Sequence, residues 1–269
     1  MYRLVALDVD GTLVDSKGVI TPTVRQALEE TIDNGVEVVI ISGRNAEGVS
    51  LIINQIGRDL WYVSSGGAMT GRLGTNEIIR QAFIDQATMR TIIELAREAG
   101  AGIFVELPRK LYWEGDERYL TWLTSIEGVN ICKMEDILQD IHSEPLKMTL
   151  VMEREPLLDL EKKINELQLD LHITYSSPVY MEITPAGVNK GVAVQHMASY
   201  LNIPMSQVMA VGDGENDIPM IKVAGLGVAM GNAPQVVKDA ADLVVPTNDE
   251  DGLVKALQLA NGKAVQWKG

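Results

Sequence analysis

Short apolar runs alternate with longer amphipathic segments along the first and last thirds of the chain. The run 4–7 is hydrophobic throughout, as expected for a strand that is buried on both faces of a parallel sheet. Thr21 and Pro22 then provide the N-cap and the first-turn proline of an amphipathic helix, which ends at Asn34-Gly35. Repetition of this strand–helix order predicts an α/β fold with a doubly wound parallel sheet.

The same alternation predicts the remaining elements of this α/β part. Besides the first strand, apolar runs predict strands over 36–41, 60–64, 208–211, 227–230 and 243–245. Amphipathic spacing predicts further helices over 46–56, 190–201, 218–223, 234–241 and 249–259.

The pattern changes between residues 83 and 188, where strands and helices no longer alternate regularly. Strands are predicted there over 102–107, 111–114, 147–153 and 172–184, and helices over 86–99, 117–125, 135–141 and 156–168. We therefore predict two domains: a core formed by residues 1–82 and 189–269, and an inserted α+β domain formed by residues 83–188.

The composition is that of an ordinary globular protein, but it excludes several classes of function. Of the 269 residues, 46% are hydrophobic and 22% are charged, and the formal net charge is −14. Nucleic acid and anionic membrane surfaces repel such an acidic chain on average, so we expect neither as a partner. No apolar run reaches the roughly 18 residues of a membrane span. The single cysteine, Cys132, excludes an internal disulfide framework. Asp8 would lie inside the apolar core of a signal peptide, so we expect no export and a cytoplasmic protein.

Polar side chains mark the ends of four predicted elements that the fold brings to one edge of the sheet. Asp8 and Asp10 end the first strand, and Gly11 lets the backbone turn away. Later elements add Ser42-Gly43, Lys190, and the group Asp213, Asn216 and Asp217. Because the carboxyl ends of parallel strands converge, the acids can meet, and each close pair would repel by roughly 4 kcal/mol. A divalent cation and a nearby lysine would offset this repulsion, and ligands that are all oxygen atoms suit Mg²⁺.

Other catalytic arrangements have weaker support in the sequence. His142, His172 and His196 lack the spacing of a metal site, and no G-x-S-x-G motif provides a serine nucleophile. Taken alone, Ser42 or Lys190 is more simply explained as a turn residue or a solvated helix residue. Their occurrence in order with the two acidic groups favours a functional site.

Four sequence motifs resemble those of the haloacid dehalogenase (HAD) superfamily of phosphatases. They are Asp8-Val9-Asp10-Gly11-Thr12, Ser42-Gly43-Arg44, Lys190 within GVNKG, and Gly212-Asp213 through Asn216-Asp217. The chain is similar to the Cof-type branch with a large α/β cap (type IIB), and the resemblance spans its whole length. It implies a Rossmann-like core at 1–82 and 189–269, and a cap at 83–188 that closes over the site and selects the substrate.

The resemblance also implies a role for each residue of the core motifs. Asp8 would attack phosphorus in line and form an aspartyl phosphate. Asp10 would protonate the leaving alcohol and then assist the attack of water on the intermediate. Ser42 and the Gly43 N–H would bind the transferring phosphoryl group, and Lys190 would balance its charge.

A magnesium site is the cofactor site that the resemblance implies. Mg²⁺ would be held by Asp8, the backbone carbonyl of Asp10, and Asp213. Asn216 and Asp217 would be supporting groups close to these ligands. All the ligands are oxygen atoms, which is the donor set that Mg²⁺ prefers.

The sequence defines the residues around the leaving group less sharply. Glu106, Arg109 and Tyr112 lie on or beside a predicted hairpin of the inserted domain, where they could face the substrate. Glu182 precedes the return to the core and could line the cleft or point outward. Arg44 could bind an anionic group of the substrate or pair with a surface acid.

We therefore predict a Mg²⁺-dependent phosphatase that hydrolyses a small phosphorylated metabolite, either a sugar phosphate or a phosphorylated cofactor. Two alternatives stay open: a phosphosugar mutase or phosphotransferase that uses the same Asp8, and a non-catalytic sensor of phosphorylated metabolites. Asp10 disfavours the sensor, because binding alone needs no general acid. Asn45 and Gly66 depart from the usual family pattern, and the sequence defines neither the substrate nor the oligomeric state.

Overall fold

The computed structural model describes residues 2–120 and 131–263, which form two β-sheets with helices packed against them. The strands are β1 (Leu4–Asp8), β2 (Glu37–Ile41), β3 (Trp61–Ser64), β4 (Met69–Arg72), β5 (Glu77–Gln81), β6 (Gly102–Leu107), β7 (Lys110–Glu114), β8 (Ile131–Lys133), β9 (Lys147–Val151), β10 (Leu171–Ser177), β11 (Tyr180–Pro185), β12 (Val208–Gly212), β13 (Leu226–Ala229) and β14 (Leu243–Val244). The helices are α1 (Pro22–Asp33), α2 (Ala46–Ile56), α3 (Gln86–Ala99), α4 (Ile137–Asp140), α5 (Arg154–Glu166), α6 (Lys190–Tyr200), α7 (Ile218–Val223), α8 (Gln235–Ala240) and α9 (Gly252–Ala260).

The first sheet is doubly wound and has the strand order β14-β13-β12-β1-β2-β3-β4-β5. The strands from β14 to β3 are parallel, and β4 and β5 extend this sheet as antiparallel strands. Alternate residues of β1 pack on opposite faces: Val5 and Leu7 belong to a core with α1, α2 and α9, whereas Leu4 and Ala6 belong to a core with α6. Burial on both faces explains why this strand lacks polar alternation. The predicted α/β fold is confirmed.

The second sheet has the order β10-β11-β9-β6-β7-β8 and is antiparallel except for the β7–β8 pair. One of its faces packs on α3 and α5 through an apolar core of its own. Phe104, Thr149 and Glu182 are on the other face, over the ends of β1, β2 and β12. All of its strands fall within the segment 83–188; the domain limits at 82/83 and 188/189 stay a prediction.

Several predictions of local structure need correction. Residues 172–184 form the β10–β11 hairpin instead of one strand, because Ser177 and Pro178 introduce a turn into a strand-like sequence. The strands β4, β5 and β8 are not predicted: β5 is a polar edge strand, and β8 has only three residues. The helix predicted over 135–141 covers only Ile137–Asp140. The helices predicted over 86–99 and 218–223 are confirmed, and most of the one predicted over 117–125 lies outside the described residues.

Candidate active site

A cleft of about 440 Å³ lies between the two sheets, and most of the predicted site residues line it. One wall, which we call the core wall, comes from the carboxyl ends of β1, β2 and β12 and the start of α6. The core wall consists of Asp8, Asp10, Ser42, Gly43, Arg44, Lys190, Asp213, Asn216 and Asp217. The opposite wall, which we call the cap wall, consists of Phe104, Lys147, Thr149, Tyr175, Ser177, Tyr180 and Glu182.

The turn after β1, which follows Asp8, lies close to Asp213. The strand ends at Asp8, and a wide turn follows in which the Val14 N–H donates to the Val9 carbonyl at 3.1 Å. Gly11 in this turn has φ +79°, a backbone conformation that strongly favours glycine. A Cβ atom at Gly11 would lie 2.2 Å from Asp213 Oδ2, so only glycine allows Asp213 this close to the turn.

Lys190 joins two carboxylates in the floor of the cleft. Its ammonium lies 2.6 Å from Asp8 Oδ1 and 2.5 Å from Asp217 Oδ1, and its side chain is 2% exposed. Asn189 caps the start of α6 by accepting from the Val192 N–H, which places Lys190 in the first turn. Burial acts to lower the pKa of Lys190, but the charges of Asp217 and Asp8 outweigh it and raise the pKa above its usual value. Lys190 is therefore a permanent cation at this position.

Asp217 also fixes the loop that follows β12. Its Oδ2 atom accepts hydrogen bonds from the N–H groups of Asp213 (3.0 Å) and Gly214 (2.9 Å). Because Oδ1 is held by Lys190, both oxygens of this buried carboxylate are engaged. Asp217 thus supports Asp213 and Lys190 in the manner of a positioning group.

Three carboxylates lie close together beside Lys190, whose single positive charge cannot neutralise all three negative charges. One oxygen from each of Asp8, Asp213 and Asp217 lies within 4.8 Å of the other two. Burial, followed by the charge of Asp217, raises the pKa of Asp8 well above its usual value and that of Asp213 to about 6. With Lys190 the group has a net charge of −2 when fully ionised, so the cluster can hold a metal ion.

Arg44 pairs with Asp10 at the mouth of the cleft. Its guanidinium makes two hydrogen bonds to the Asp10 carboxylate, at 2.9 Å and 2.6 Å. The Asp10 side chain remains 57% exposed at the mouth of the cleft. The Arg44 N–H also donates to Ser42 Oγ at 3.1 Å. Asp10 and Ser42 are therefore oriented through the same residue.

The structure distributes the predicted cap residues over three different environments. Glu182 lines the cleft from β11. Glu106 is buried and contacts Ser65 and Lys147. Arg109 is exposed in the β6–β7 turn, and Tyr112 packs on the apolar core beside α3, so neither is among the residues that line the cleft.

Two of the polar residues that sequence reasoning missed donate hydrogen bonds to the core motifs. Asn232 donates to Asp213 Oδ2 at 3.0 Å and to the Gly11 carbonyl at 2.9 Å. Its position just after the parallel strand β13 is the signal that could have revealed it. Lys147 lies at the start of β9, where a charged residue before a buried apolar run was the only indication.

One protein family matches nearly the whole chain. A family model for "haloacid dehalogenase-like hydrolase" matches residues 5–257. The chain belongs to this family. This match confirms the resemblance to the HAD superfamily that the four motifs indicated.

Relatives of this HAD-like hydrolase match over nearly their entire lengths. The 5-amino-6-(5-phospho-D-ribitylamino)uracil phosphatase YcsE of Bacillus subtilis (strain 168) is 31% identical over 257 residues, which cover 95% of this chain and 94% of the relative. A haloacid dehalogenase-like hydrolase from Bacteroides thetaiotaomicron has a TM-score of 0.90 at 29% identity, covering 96% of this chain and 99% of that one. The HAD subclass IIB sugar phosphatase BT4131 has a TM-score of 0.84 at 25% identity, covering 96% and 99%.

These similarities confirm that this HAD-like hydrolase is an enzyme of the phosphatase class. They leave its particular ester, its metal and the role of each residue as proposals. Within residues 2–120 and 131–263, no helix combines the length and the apolar character that a membrane crossing requires.

Proposed function

We propose that the chain hydrolyses the phosphomonoester of a small metabolite, with Mg²⁺, through an aspartyl phosphate on Asp8. The supporting observation is the buried Lys190 ammonium, which joins Asp8 to Asp217 in the cleft that Ser42 and Gly43 also line. A nucleophile, a cation and hydrogen-bond donors are thereby gathered around the volume of one phosphoryl group.

In the first half of the reaction, an oxygen of Asp8 attacks phosphorus while the bond to the leaving oxygen breaks. Asp10 gives its proton to that oxygen, so the product leaves as an alcohol. The Ser42 hydroxyl, the Gly43 N–H and the Lys190 ammonium bind the phosphoryl oxygens and stabilise their charge. Arg44 holds Asp10 at the mouth of the cleft, on the side where an alcohol can depart.

In the second half, water attacks the phosphorus of the aspartyl phosphate. Asp10, now a carboxylate, takes the proton of this water, and the bond between phosphorus and the Asp8 oxygen breaks. Inorganic phosphate leaves, Asp8 is restored as a carboxylate, and Asp10 again has its proton. The same residue thus acts as the acid of one step and the base of the next.

The acidic cluster fits the Mg²⁺ ion that the family resemblance implies. Asp8 and Asp213 would hold it together with the backbone carbonyl of Asp10, while Asp217 and, by the family resemblance, Asn216 would support them. The close approach of Asp213 to Gly11 supports this arrangement, because it brings the Asp213 carboxylate next to the first motif. When bound, Mg²⁺ would neutralise the carboxylates, keep Asp8 ionised and offset charge on the phosphoryl oxygens.

The cap wall indicates a leaving group of small size with polar substituents. A cleft of about 440 Å³ has the size that accommodates a small metabolite. Glu182 and Thr149 offer hydrogen-bonding groups, whereas Phe104 and Tyr180 offer apolar surface. The names of two relatives specify a phosphorylated ribitylaminouracil and a sugar phosphate. We propose a sugar phosphate or a phosphorylated cofactor precursor as the substrate, selected by a cap domain at 83–188.

Phosphate release from a panel of small phosphomonoesters tests this function. We expect release with Mg²⁺, none with chelator, and a loss of at least about 10³-fold in Asp8→Asn. The surface variant Asp33→Asn is the matched control, since its carboxylate pairs with Arg58 on the exposed surface.

Two results would overturn the proposal. One is the absence of release from every ester, and the other is full release by Asp8→Asn. Transfer of the phosphoryl group to a second sugar hydroxyl, in place of release, would instead assign the chain to the mutases or phosphotransferases.

A further inference from the structure

Two charged side chains of the second sheet reach the ends of two neighbouring strands of the first. The Lys147 ammonium, on β9, donates to the backbone carbonyl of Gly43, just after β2, at 2.7 Å. Glu106, on β6, accepts a hydrogen bond from the Ser65 hydroxyl, just after β3. Glu106 and Lys147 are in register across β6 and β9, so both contacts start from one point of the second sheet.

Lys147 is held in one place by its surroundings. Its side chain is 3% exposed, although the residue lines the cleft. Besides the Gly43 carbonyl, its ammonium has the carboxylates of Glu106 at 3.5 Å and Glu182 at 3.6 Å. An ammonium has three donors, and three acceptors surround this one. A buried cation with such partners is ordered, unlike a lysine that extends into water.

The bond from Lys147 fixes a peptide group that controls the orientation of Ser42. The Gly43–Arg44 peptide has its carbonyl held by Lys147, and its N–H donates to Ser42 Oγ at 3.1 Å. Because Ser42 Oγ accepts this bond, its own proton stays available for a phosphoryl oxygen. Rotation of the peptide would break both bonds and move the hydroxyl.

The same peptide group also leads to the general acid. Arg44 follows it directly and makes the two hydrogen bonds to Asp10. Lys147 is therefore linked, through one peptide unit, to the group that binds phosphate and to the group that protonates the product.

We propose that Lys147 is a positioning residue of the reaction, which orients Ser42, Gly43 and Arg44 through the Gly43 carbonyl. The inference rests on the proposed function, which assigns Ser42 and Gly43 to the phosphoryl group. It makes the arrangement of the phosphoryl site depend on the second sheet lying in place over the cleft. Residues remote from the reacting atoms can change rates about 100-fold when they misplace them by 1 Å.

The test compares Lys147→Met with Lys162→Met, a matched change at an exposed lysine of α5. The full chain is assayed with Mg²⁺ for kcat and KM on p-nitrophenyl phosphate, and for the inhibition constant of inorganic phosphate. We expect Lys147→Met to lower kcat/KM by about 10- to 100-fold and to raise the phosphate inhibition constant by about fivefold. Lys162→Met should change neither by more than about twofold.

Two further variants separate positioning from simple stability. Lys147→Arg should recover part of the loss, because its guanidinium can still donate to the Gly43 carbonyl. If Lys147→Met does not fold, the double variant Glu106→Gln/Lys147→Met retains the net charge of the buried group, and the same kinetic losses are expected. Circular dichroism and the thermal midpoint verify that each variant is folded.

Two results would overturn the inference while leaving the proposed function intact. The first is a folded Lys147→Met enzyme with unchanged kcat/KM and unchanged phosphate inhibition. The second is a raised KM for the ester without any change in phosphate inhibition, which would assign Lys147 to the leaving group. Failure of the proposed function would look different, because the wild-type chain itself would then release no phosphate.

Discussion

The two walls of the cleft are built in different ways. Core-wall residues lie at the ends of parallel strands or at the start of α6, within short motifs such as Asp8–Asp10. Cap-wall residues such as Phe104, Thr149 and Glu182 come from the strands of an antiparallel sheet, and their neighbours in space are distant in sequence. One wall is thus defined by local sequence, and the other by strand register.

The proposed function assigns the two walls different roles. The core wall holds ionisable groups fixed by many hydrogen bonds, as around Lys190 and Asp217, and these suit bond making and breaking. The cap wall mixes aromatic and polar side chains, which suit recognition of a leaving group. Changes in the core wall should therefore affect all esters, and changes in the cap wall should affect some esters more than others.

Among the variants that compare the two walls, Asp10→Asn should have the largest effect. Alkyl phosphates need a proton on the leaving oxygen, so we expect their kcat to fall by about 10²- to 10⁴-fold. The ester p-nitrophenyl phosphate has a leaving group that departs unprotonated, so its first step should be nearly normal and an initial burst of nitrophenol should appear. Rapid-mixing assays of both esters measure this, with the exposed Asp159→Asn as control. Equal losses for both esters, without a burst, would contradict the assignment.

A smaller and selective effect should follow from Glu182→Gln. The Glu182 carboxylate lines the cleft and can accept hydrogen bonds from hydroxyl groups of a leaving group. We expect kcat/KM to change by about tenfold for the best hydroxylated ester, and by about twofold or less for p-nitrophenyl phosphate. The comparison variant is Arg109→Gln, which lies outside the cleft lining and should leave both values unchanged. A uniform loss across esters would place Glu182 with the catalytic groups.

The smallest effect concerns stability and pH, and it isolates the carboxylate cluster. The pKa of Asp213 is raised from 3.8 to about 6 by burial, so between these values the folded state keeps a proton that the unfolded state has lost. The resulting contribution to stability is lost as the pH rises through this window. Without metal at about pH 7.5, Asp213→Asn should therefore raise the thermal midpoint by a few degrees, and at about pH 5, inside this window, it should raise it by roughly half as much.

Mg²⁺ should reverse the order at the higher pH, because its ligands must be ionised. The wild-type chain should gain more thermal stability from Mg²⁺ than Asp213→Asn does, and the gain should shrink at about pH 5. Thermal unfolding with Mg²⁺ and with chelator measures both effects. An equal Mg²⁺ gain in the two proteins would remove Asp213 from the metal ligands.

How much the sequence predicts follows the same division between the two walls. Strand ends with paired acids, a helix-starting lysine and glycine turns are local signals, and Asp8, Ser42, Lys190 and Asp213, which carry them, all line the cleft. The parallel order also follows from the alternation of strand and helix. The roles of these residues stay proposals.

The cap wall could not be predicted in the same way. Arg109 and Tyr112 lie near Glu106 in sequence, but the β6–β7 turn and the pleat of β7 direct them away from the cleft lining. Tyr180 lines the cleft because residues 172–184 are a hairpin, which the apolar pattern did not reveal. Lys147 depends on contacts with both sheets, and no local pattern encodes those.

The most direct test of the account is to trap the covalent intermediate on Asp8. A reaction with phosphomonoester and Mg²⁺ is quenched in acid, the aspartyl phosphate is reduced with tritiated borohydride to a stable labelled homoserine, and the chain is then digested with trypsin. Because trypsin cleaves after Arg3 and after Lys17, the peptide 4–17 contains both acids of the first motif. We predict label on that peptide, fragmentation that locates it on Asp8, and its absence in Asp8→Asn. Phosphate release without any labelled peptide, or label on Asp10, would contradict the account.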